Sequence, residues 1–147
     1  MVVMKVRRRS SVLCVDRGEL LTVLLRDPVS RETRHFLPGG GIEEDESPED
    51  AAVREILEET GFHVNLKGPY DTLTYPFEWA GKQIMSETTF FYGDLVKTEL
   101  RLTLPRVEFD DDTINMGYLW VPLRAVDRCF SFHSQIHGVI SRMLRLI

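Results

Sequence analysis

The chain has 147 residues, 43% of them hydrophobic and 28% charged, with a net charge of −5 at pH 7. That length suits one domain, its apolar fraction excludes wholesale disorder, and its acidity argues against a nucleic-acid partner. No apolar run approaches the ~20 residues that cross a bilayer, and the opening MVVMKVRRRS lacks the apolar stretch of a secretion signal, so no membrane role is expected. Cys14 and Cys129 sit among apolar residues with no metal-type spacing, which points to a reducing cytoplasm. In chain order, residues 9–16 and 19–26 are β-rich around Asp16-Arg17-Gly18 and predict a hairpin. Residues 27–35 read as a polar loop, and Phe36-Leu37 as a short strand running into Pro38-Gly39-Gly40-Gly41. A helix follows, with Ser47 as N-cap, Pro48 at its first position, Asp50 completing a capping-box-like pattern, and Gly61 past its end. Its predicted core face is Val53, Ile56, Leu57 and Thr60. Strands are expected at 62–66 and 70–79, with Ala80-Gly81-Lys82 turning into a third at 83–96. Residues 97–115 form a charged loop, 117–121 a short strand, and 122–126 one helical turn. At the C-terminus Ile136, Val139, Ile140, Met143, Leu144 and Ile147 recur at helical spacing. Many strands with one interior and one terminal helix define an α/β sandwich, and the terminal helix leaves open a contact in a homodimer.

The charge is unevenly distributed. Residues 43–59 hold nine acids and one base and carry −8, against +3 for the rest of the chain. Within the helix Glu55, Glu58 and Glu59 stand at i, i+3 and i+4, which places three carboxylates on one face, opposite the apolar one. Like charges at that spacing, near the negative end of the helix dipole, oppose helix stability. A solvated acidic face braced by Arg54 is the plain alternative. The preceding glycines favour chemistry instead, because bare backbone beside clustered carboxylates makes an oxygen-rich site suited to Mg²⁺ or Mn²⁺. Such ions usually bind through a few carboxylates, water and substrate phosphate, so the pattern suggests metal-assisted attack of water on phosphate. Without Cys or paired His in the cluster, zinc is disfavoured.

The segment GGIEEDESPEDAAVREILEETGF, residues 40–62, resembles the Nudix box, the signature of MutT-like hydrolases. Gly40, Glu46, Arg54, Glu55, Ile56, Glu58, Glu59, Gly61 and Phe62 match its fixed positions. The strand 20–26, the entry Phe36-Leu37-Pro38-Gly39 and the late Tyr118-Leu119-Trp120-Val121-Pro122-Leu123 are also similar to the family, so the likeness spans nearly the whole chain as one domain. Asp45 departs from it, since many members carry glycine there. The resemblance implies an α/β/α sandwich around a mixed β-sheet, and hydrolysis of a pyrophosphate bond in a nucleoside diphosphate linked to another group X. It implies Glu58, Glu59 and the carbonyl of Gly39 as metal ligands. It casts Glu55 as ligand or base, and Arg54 as the residue that orients Glu55, with Glu46 as second partner.

Beyond the box, Glu108, Asp110, Asp111 and Asp112 are candidates for a further acid near the metal. The basic residues Arg7, Arg8, Arg9, Arg26, Arg31 and Arg34 are candidates for phosphate contacts, Arg8 and Arg34 foremost. Tyr75, Phe77 and Trp79 alternate on one strand face, as a core or as a stacking surface for a base, with Phe77 and Trp79 the candidate substrate contacts. His133 and His137 read as surface histidines. Pro76 lies near a position where ADP-ribose enzymes carry proline, no Tyr marks a diadenosine polyphosphate enzyme, and the glycine-rich entry lacks the Gln of many enzymes acting on RNA 5′ ends. The rival readings are a non-catalytic nucleotide-sensing module and an RNA 5′-pyrophosphohydrolase. The intact Arg-Glu and Glu-Glu pairs weigh against the first, and the acidic charge against the second.

Overall fold

The computed structural model describes residues 5–96, 108–110 and 113–147. Its strands are β1 (Val6–Leu13), β2 (Val15–Asp16), β3 (Glu19–Arg26), β4 (Thr33–Phe36), β5 (Gly39–Gly41), then, beyond helix α1 (Pro48–Thr60), β6 (Val64–Trp79), β7 (Lys82–Leu95), β8 (Glu108–Asp110) and β9 (Thr113–Pro122). A 3₁₀ turn (Leu123–Ala125) leads into α2 (Val126–Phe130) and α3 (Ser134–Leu144). One sheet has the order β5-β1-β7-β6 and is mixed, because β1 and β7 run parallel while its other pairs are antiparallel. The second, antiparallel, has the order β2-β3-β9-β8, with β4 on β3.

Period-two side-chain alternation explains how these sheets serve two cores. Val12 of β1, Phe91 of β7, Leu21 and Val23 of β3 and Trp120 of β9 pack with Ala52 and Ile56 of α1. Their chain neighbours Leu13, Phe90, Leu20 and Val121 pack with Ile136, Val139, Ile140 and Met143 of α3. Phe90 and Phe91 are adjacent yet buried in different cores, and each burial contributes ~1.5–3 kcal/mol. The sandwich of helices around a β layer is thus present, with the layer made of two sheets. The apolar stripe of α3 is spent inside this core.

Several local expectations need correction. Residues 9–16 and 19–26 do not form a continuous hairpin: β1 pairs with β5 and β7, and only the two-residue β2 folds back on β3. The parallel partner of β1 lies far along the chain, where no local signal reveals it. The loop 27–35 contains most of β4, and 62–79 is essentially one long strand whose register shifts between Lys67 and Asp71. The predicted turn at 122–126 extends through α2. The charged loop 97–115 contains β8 and the start of β9, and residues 97–107 and 111–112 lie outside the described chain.

Helix α1 has the predicted ends. Ser47 Oγ accepts the Asp50 N–H at 3.0 Å, and Gly61, at φ 78°, donates its N–H to the Leu57 carbonyl at 2.8 Å. Its buried face differs. Ala51, Ala52, Ile56 and Thr60 are buried, whereas Val53 and Leu57 are each 38% exposed. The helix lies close against β1, where Ser10 Oγ donates to the Pro48 carbonyl at 2.7 Å. Alanines permit that approach. The carboxylates of Glu55 and Glu59 therefore flank the buried stripe, where they lose water, instead of standing opposite it.

Candidate active site

Strand β5 consists of three glycines, and two of them leave room that a side chain would fill. A Cβ on Gly40 would lie within 2.5 Å of the Glu55 carboxyl carbon, and one on Gly39 would collide with the Ser10 carbonyl. Bare backbone lets β5 sit between β1 and α1 with carboxylates directly against it. Glu59 Oε1 accepts the Gly39 N–H at 2.8 Å, which joins the end of α1 to the start of β5.

Arg54 gathers the rest of the box. Its Nε and Nη2 donate to the two oxygens of Glu46 at 2.8 and 2.9 Å, its Nη2 to the Gly41 carbonyl at 3.0 Å, and its Nη1 to Glu55 Oε1 at 2.9 Å. Glu58 lies 3.3 Å from the same Nη1. Glu46, which also accepts the Glu43 N–H at 3.0 Å, is the principal partner of Arg54, and Glu55 the second. These charge-assisted bonds set the protonation states. The side-chain bond from Arg54 holds Glu46 down to about 2, and the Glu46 carboxylate in turn raises Arg54. Burial raises Glu55 above its ordinary value despite Arg54. Burial likewise pushes Glu59 up to about 8, against the opposing bond from Gly39, with Glu55 and Glu58 adding repulsion.

Glu59 is thus a half-buried carboxylate that accepts the Gly39 N–H and has Glu55 and Glu58 close enough to repel it. That donor set fits a hard divalent cation and offers nothing to a soft one. Glu55, Glu58 and Glu59, with the backbone of Gly39, are the residues that would hold it. Among the described residues no three acidic, histidine or cysteine side chains already form a closed cluster, and Glu58 leans on Arg54. The side chains of Glu108 and Asp110 in β8, and the whole of Asp111 and Asp112, lie outside what the structure describes.

A cleft opens on the β1–β7–β6 face. Arg7, Arg9 and Ser11 line it from β1, Ser86 from β7, and Tyr75, Phe77 and Trp79 from β6. The predicted alternation of the three aromatics holds. Tyr75 belongs to the core at 6% exposure and bonds Thr88 Oγ1 at 2.8 Å, while Phe77 and Trp79 form a wall with Phe36. The structure does not bring Arg8 to this cleft: it lies on the other strand face, 3.7 Å from Glu87. Arg34 lines a second, outer cleft, where it pairs with Glu32 at 2.7 Å and lies over the Phe132 ring. Phe77 and Trp79 border both clefts.

Three positions acquire roles that their sequence context conceals. Arg9 was one of three adjacent arginines, and only the register that turns Val12 toward α1 turns Arg9 into the cleft. His133 is more than a surface histidine: Nδ1 caps α3 by accepting the Ile136 N–H at 3.3 Å, Nε2 lies 3.0 Å from the Pro76 carbonyl, and the ring stacks on Phe77. Asp27 accepts the N–H groups of Val29, Ser30 and Ala80 at 2.8, 3.2 and 2.9 Å, tying the β3–β4 loop to the β6–β7 turn.

A glycine-built strand against a helix bearing the Arg54–Glu46–Glu55 network defines a member of the NUDIX family of pyrophosphohydrolases, to which this chain belongs: the NUDIX domain model matches residues 4–142. The chain is 30% identical over 142 residues to human diphosphoinositol polyphosphate phosphohydrolase 3-beta, covering 95% of this chain and 79% of that protein. The fold matches a MutT protein from Methanosarcina mazei Go1 with TM-score 0.65 at 21% identity, over 99% and 97% of the two chains. It also matches the C. elegans Ap4A hydrolase with TM-score 0.60 at 15% identity, over 97% and 98%.

Proposed function

We propose that this protein is a divalent-metal-dependent hydrolase of a pyrophosphate bond in a nucleoside diphosphate derivative. The observation that carries the reading is the half-buried Glu59, bonded to the bare β5 backbone at Gly39 and close to Glu55, whose own carboxyl group packs on Gly40. When bound, Mg²⁺ or Mn²⁺ would neutralise charge on the attacked phosphate and lower the pKa of the attacking water. Glu58, Glu59 and the Gly39 carbonyl would hold the cation. Arg54 fixes one oxygen of Glu55 and leaves the other to accept the proton from water. Glu46, locked in its ionised form, holds Arg54 in place. The human relative is named for a diphosphoinositol polyphosphate, but the aromatic wall of Phe36, Phe77 and Trp79 suits a planar base better than a ring crowded with phosphates. A monomeric or dimeric enzyme of the cytoplasm, where Cys14 and Cys129 stay as thiols, completes this reading. A screen of nucleoside diphosphate derivatives with Mg²⁺, reading released phosphate or pyrophosphate, tests it. Turnover should vanish in EDTA and return with excess Mg²⁺; turnover undiminished by chelator would overturn the metal mechanism.

A further inference from the structure

Helix α3 is capped by a histidine, a residue outside the usual cap set of Ser, Thr, Asp and Asn, and the bonds of its ring fix where the proton sits. His133 is half-buried, and its Nδ1 accepts the Ile136 N–H at 3.3 Å. A backbone N–H can only donate, so Nδ1 carries no proton. Nε2 lies 3.0 Å from the Pro76 carbonyl, which can only accept, so Nε2 does carry one. Both nitrogens are satisfied in the neutral Nε2–H form and in no other.

That ring touches residues of both clefts. His133 borders the outer cleft, while Tyr75, Phe77 and Ile136 line the first, inner one. The imidazole stacks on Phe77 with centroids 5.5 Å apart and planes at 25°, and meets Tyr75 in a T-shape at 5.1 Å. Ile136 is buried in the core beneath α3. One side chain thereby pins the first turn of α3 to the edge strand β6.

A second proton undoes this arrangement. An imidazolium has N–H on both nitrogens, so Nδ1 would face the Ile136 N–H donor to donor, with its charge at the positive end of the helix dipole. The outer cleft offers that charge a better setting. Asp27, Glu32 and Glu78 border it with the guanidinium of Arg34. Arg34 pairs with Glu32, Asp27 is engaged by backbone N–H groups, and Glu78 accepts from the Gln83 amide at 3.3 Å. On the other sides, Tyr75 shares its hydroxyl with Thr88, and His137, one turn along α3, pairs with Asp127 of α2. Histidine is the side chain whose charge ordinarily changes between pH 5 and 8.

We propose that His133 is a proton-operated latch on the wall that the two clefts share. Neutral, it holds the first turn of α3 against β6 and fixes the Phe77 ring. Charged, it leaves the cap, turns toward the carboxylates of the outer cleft and loosens that wall. It is a positioning residue that acts through Phe77 and Ile136, and the latch is independent of what the clefts bind.

NMR of the full chain between pH 8 and pH 5 tests this. At pH 8 the ring nitrogens of His133 should show the neutral Nε2–H form. As the ring takes up its second proton, protection of the Ile136 amide against exchange should fall about fivefold, as for a lost helix cap, and the Phe77 ring resonances should shift with the same midpoint. His133→Asn supplies a cap acceptor that does not titrate, so Ile136 should stay protected within about twofold across the range and the pH-dependent shift of Phe77 should vanish. His137→Gln, which removes an exposed pair with Asp127, should leave the wild-type response in place. His133→Ala should leave Ile136 weakly protected at every pH; thermal unfolding shows whether it is folded, and if it is not, the His133→Asn comparison decides. An Nδ1–H ring at pH 8, a ring that stays neutral down to pH 5, or Ile136 protection that ignores the titration of the ring would each overturn the latch. A wild-type pH response in His133→Asn would do the same.

Discussion

Arg54 shows how much one side chain organises when its donors all point to fixed acceptors. It bonds Glu46 with two nitrogens and reaches Glu55, Glu58 and the Gly41 carbonyl with the same planar group. Arg54→Ala strands two carboxylates of low exposure, so a stability loss of ~1–3 kcal/mol is expected. Its effect on chemistry should be separable. With the protein fully folded, kcat should fall by about tenfold or more while KM changes little, because Arg54 holds the base and does not touch substrate. Arg54→Lys should recover much of the stability and little of kcat, since an ammonium cannot bridge three partners in one plane. Denaturant unfolding beside steady-state kinetics measures both; activity that falls only with the folded fraction would make Arg54 a structural ion pair. Asp45 illustrates a different residue-scale effect. Its φ of 64° lies in the left-handed region, which gives a physical reason for the glycine that many relatives carry there; Asp is one of the few side chains that tolerate it.

Between elements, Asp27 does the positioning that loops cannot do for themselves. Burial alone would raise its pKa, yet the backbone N–H groups of Ala80, Val29 and Ser30 outweigh that and hold it below its ordinary value. Its carboxylate therefore clamps two loops that border the outer cleft, together with the Arg31 and Ala80 backbones at φ 68° and 53°. Asp27→Asn keeps the shape but replaces one acceptor oxygen with a donor facing a donor. Destabilisation of ~1–3 kcal/mol should follow from the unsatisfied N–H. Amide exchange at Ala80 should accelerate, and KM for the best nucleotide should rise with less change in kcat. Unaltered exchange at Ala80 would mean the loops are held by their other contacts.

For the molecule as a whole, the carboxylates make stability depend on pH and metal in opposite directions. Glu59 has a folded pKa of about 8 against an ordinary 4.5, so between these values the folded state binds more protons than the unfolded one. Its stabilising contribution is present below about 4.5 and lost as pH rises toward about 8. Glu46 behaves conversely: held at about 2, its contribution is present above 4.5 and lost as pH falls toward about 2. Without metal, Tm should decline from about pH 4.5 to about pH 8, and Glu59→Gln should flatten that decline. Mg²⁺ binds the ionised cluster, so its stabilisation should grow with pH, reaching ~2.7 kcal/mol at a hundred times Kd. The same variant should lose most of that gain, together with about a hundredfold or more of turnover. Calorimetry across pH with and without Mg²⁺ reads both effects; a wild-type Mg²⁺ response in Glu59→Gln would show that Glu59 holds no metal.

Local chemistry was sufficient for α1, from the Ser47 cap to the Gly61 stop, and for the Arg54, Glu55, Glu58 and Glu59 pattern, because caps, helical period and box spacing all act within a few turns of chain. The apolar stripe of α3 was legible for the same reason. Which face of α1 is buried was not, because close approach to β1 and β5 selects Ala52 over the more apolar Val53 and Leu57. Nor was the choice between Arg8 and Arg9, since a strand's two faces are equivalent until its partners are known. The parallel pairing of β1 with β7 joins residues about eighty positions apart, and that one contact turns Arg9 into the inner cleft and Arg8 toward Glu87. Residue types and spacing determined what chemistry this protein is equipped for; tertiary packing decided which carboxylates lose their water and which arginine enters the cleft.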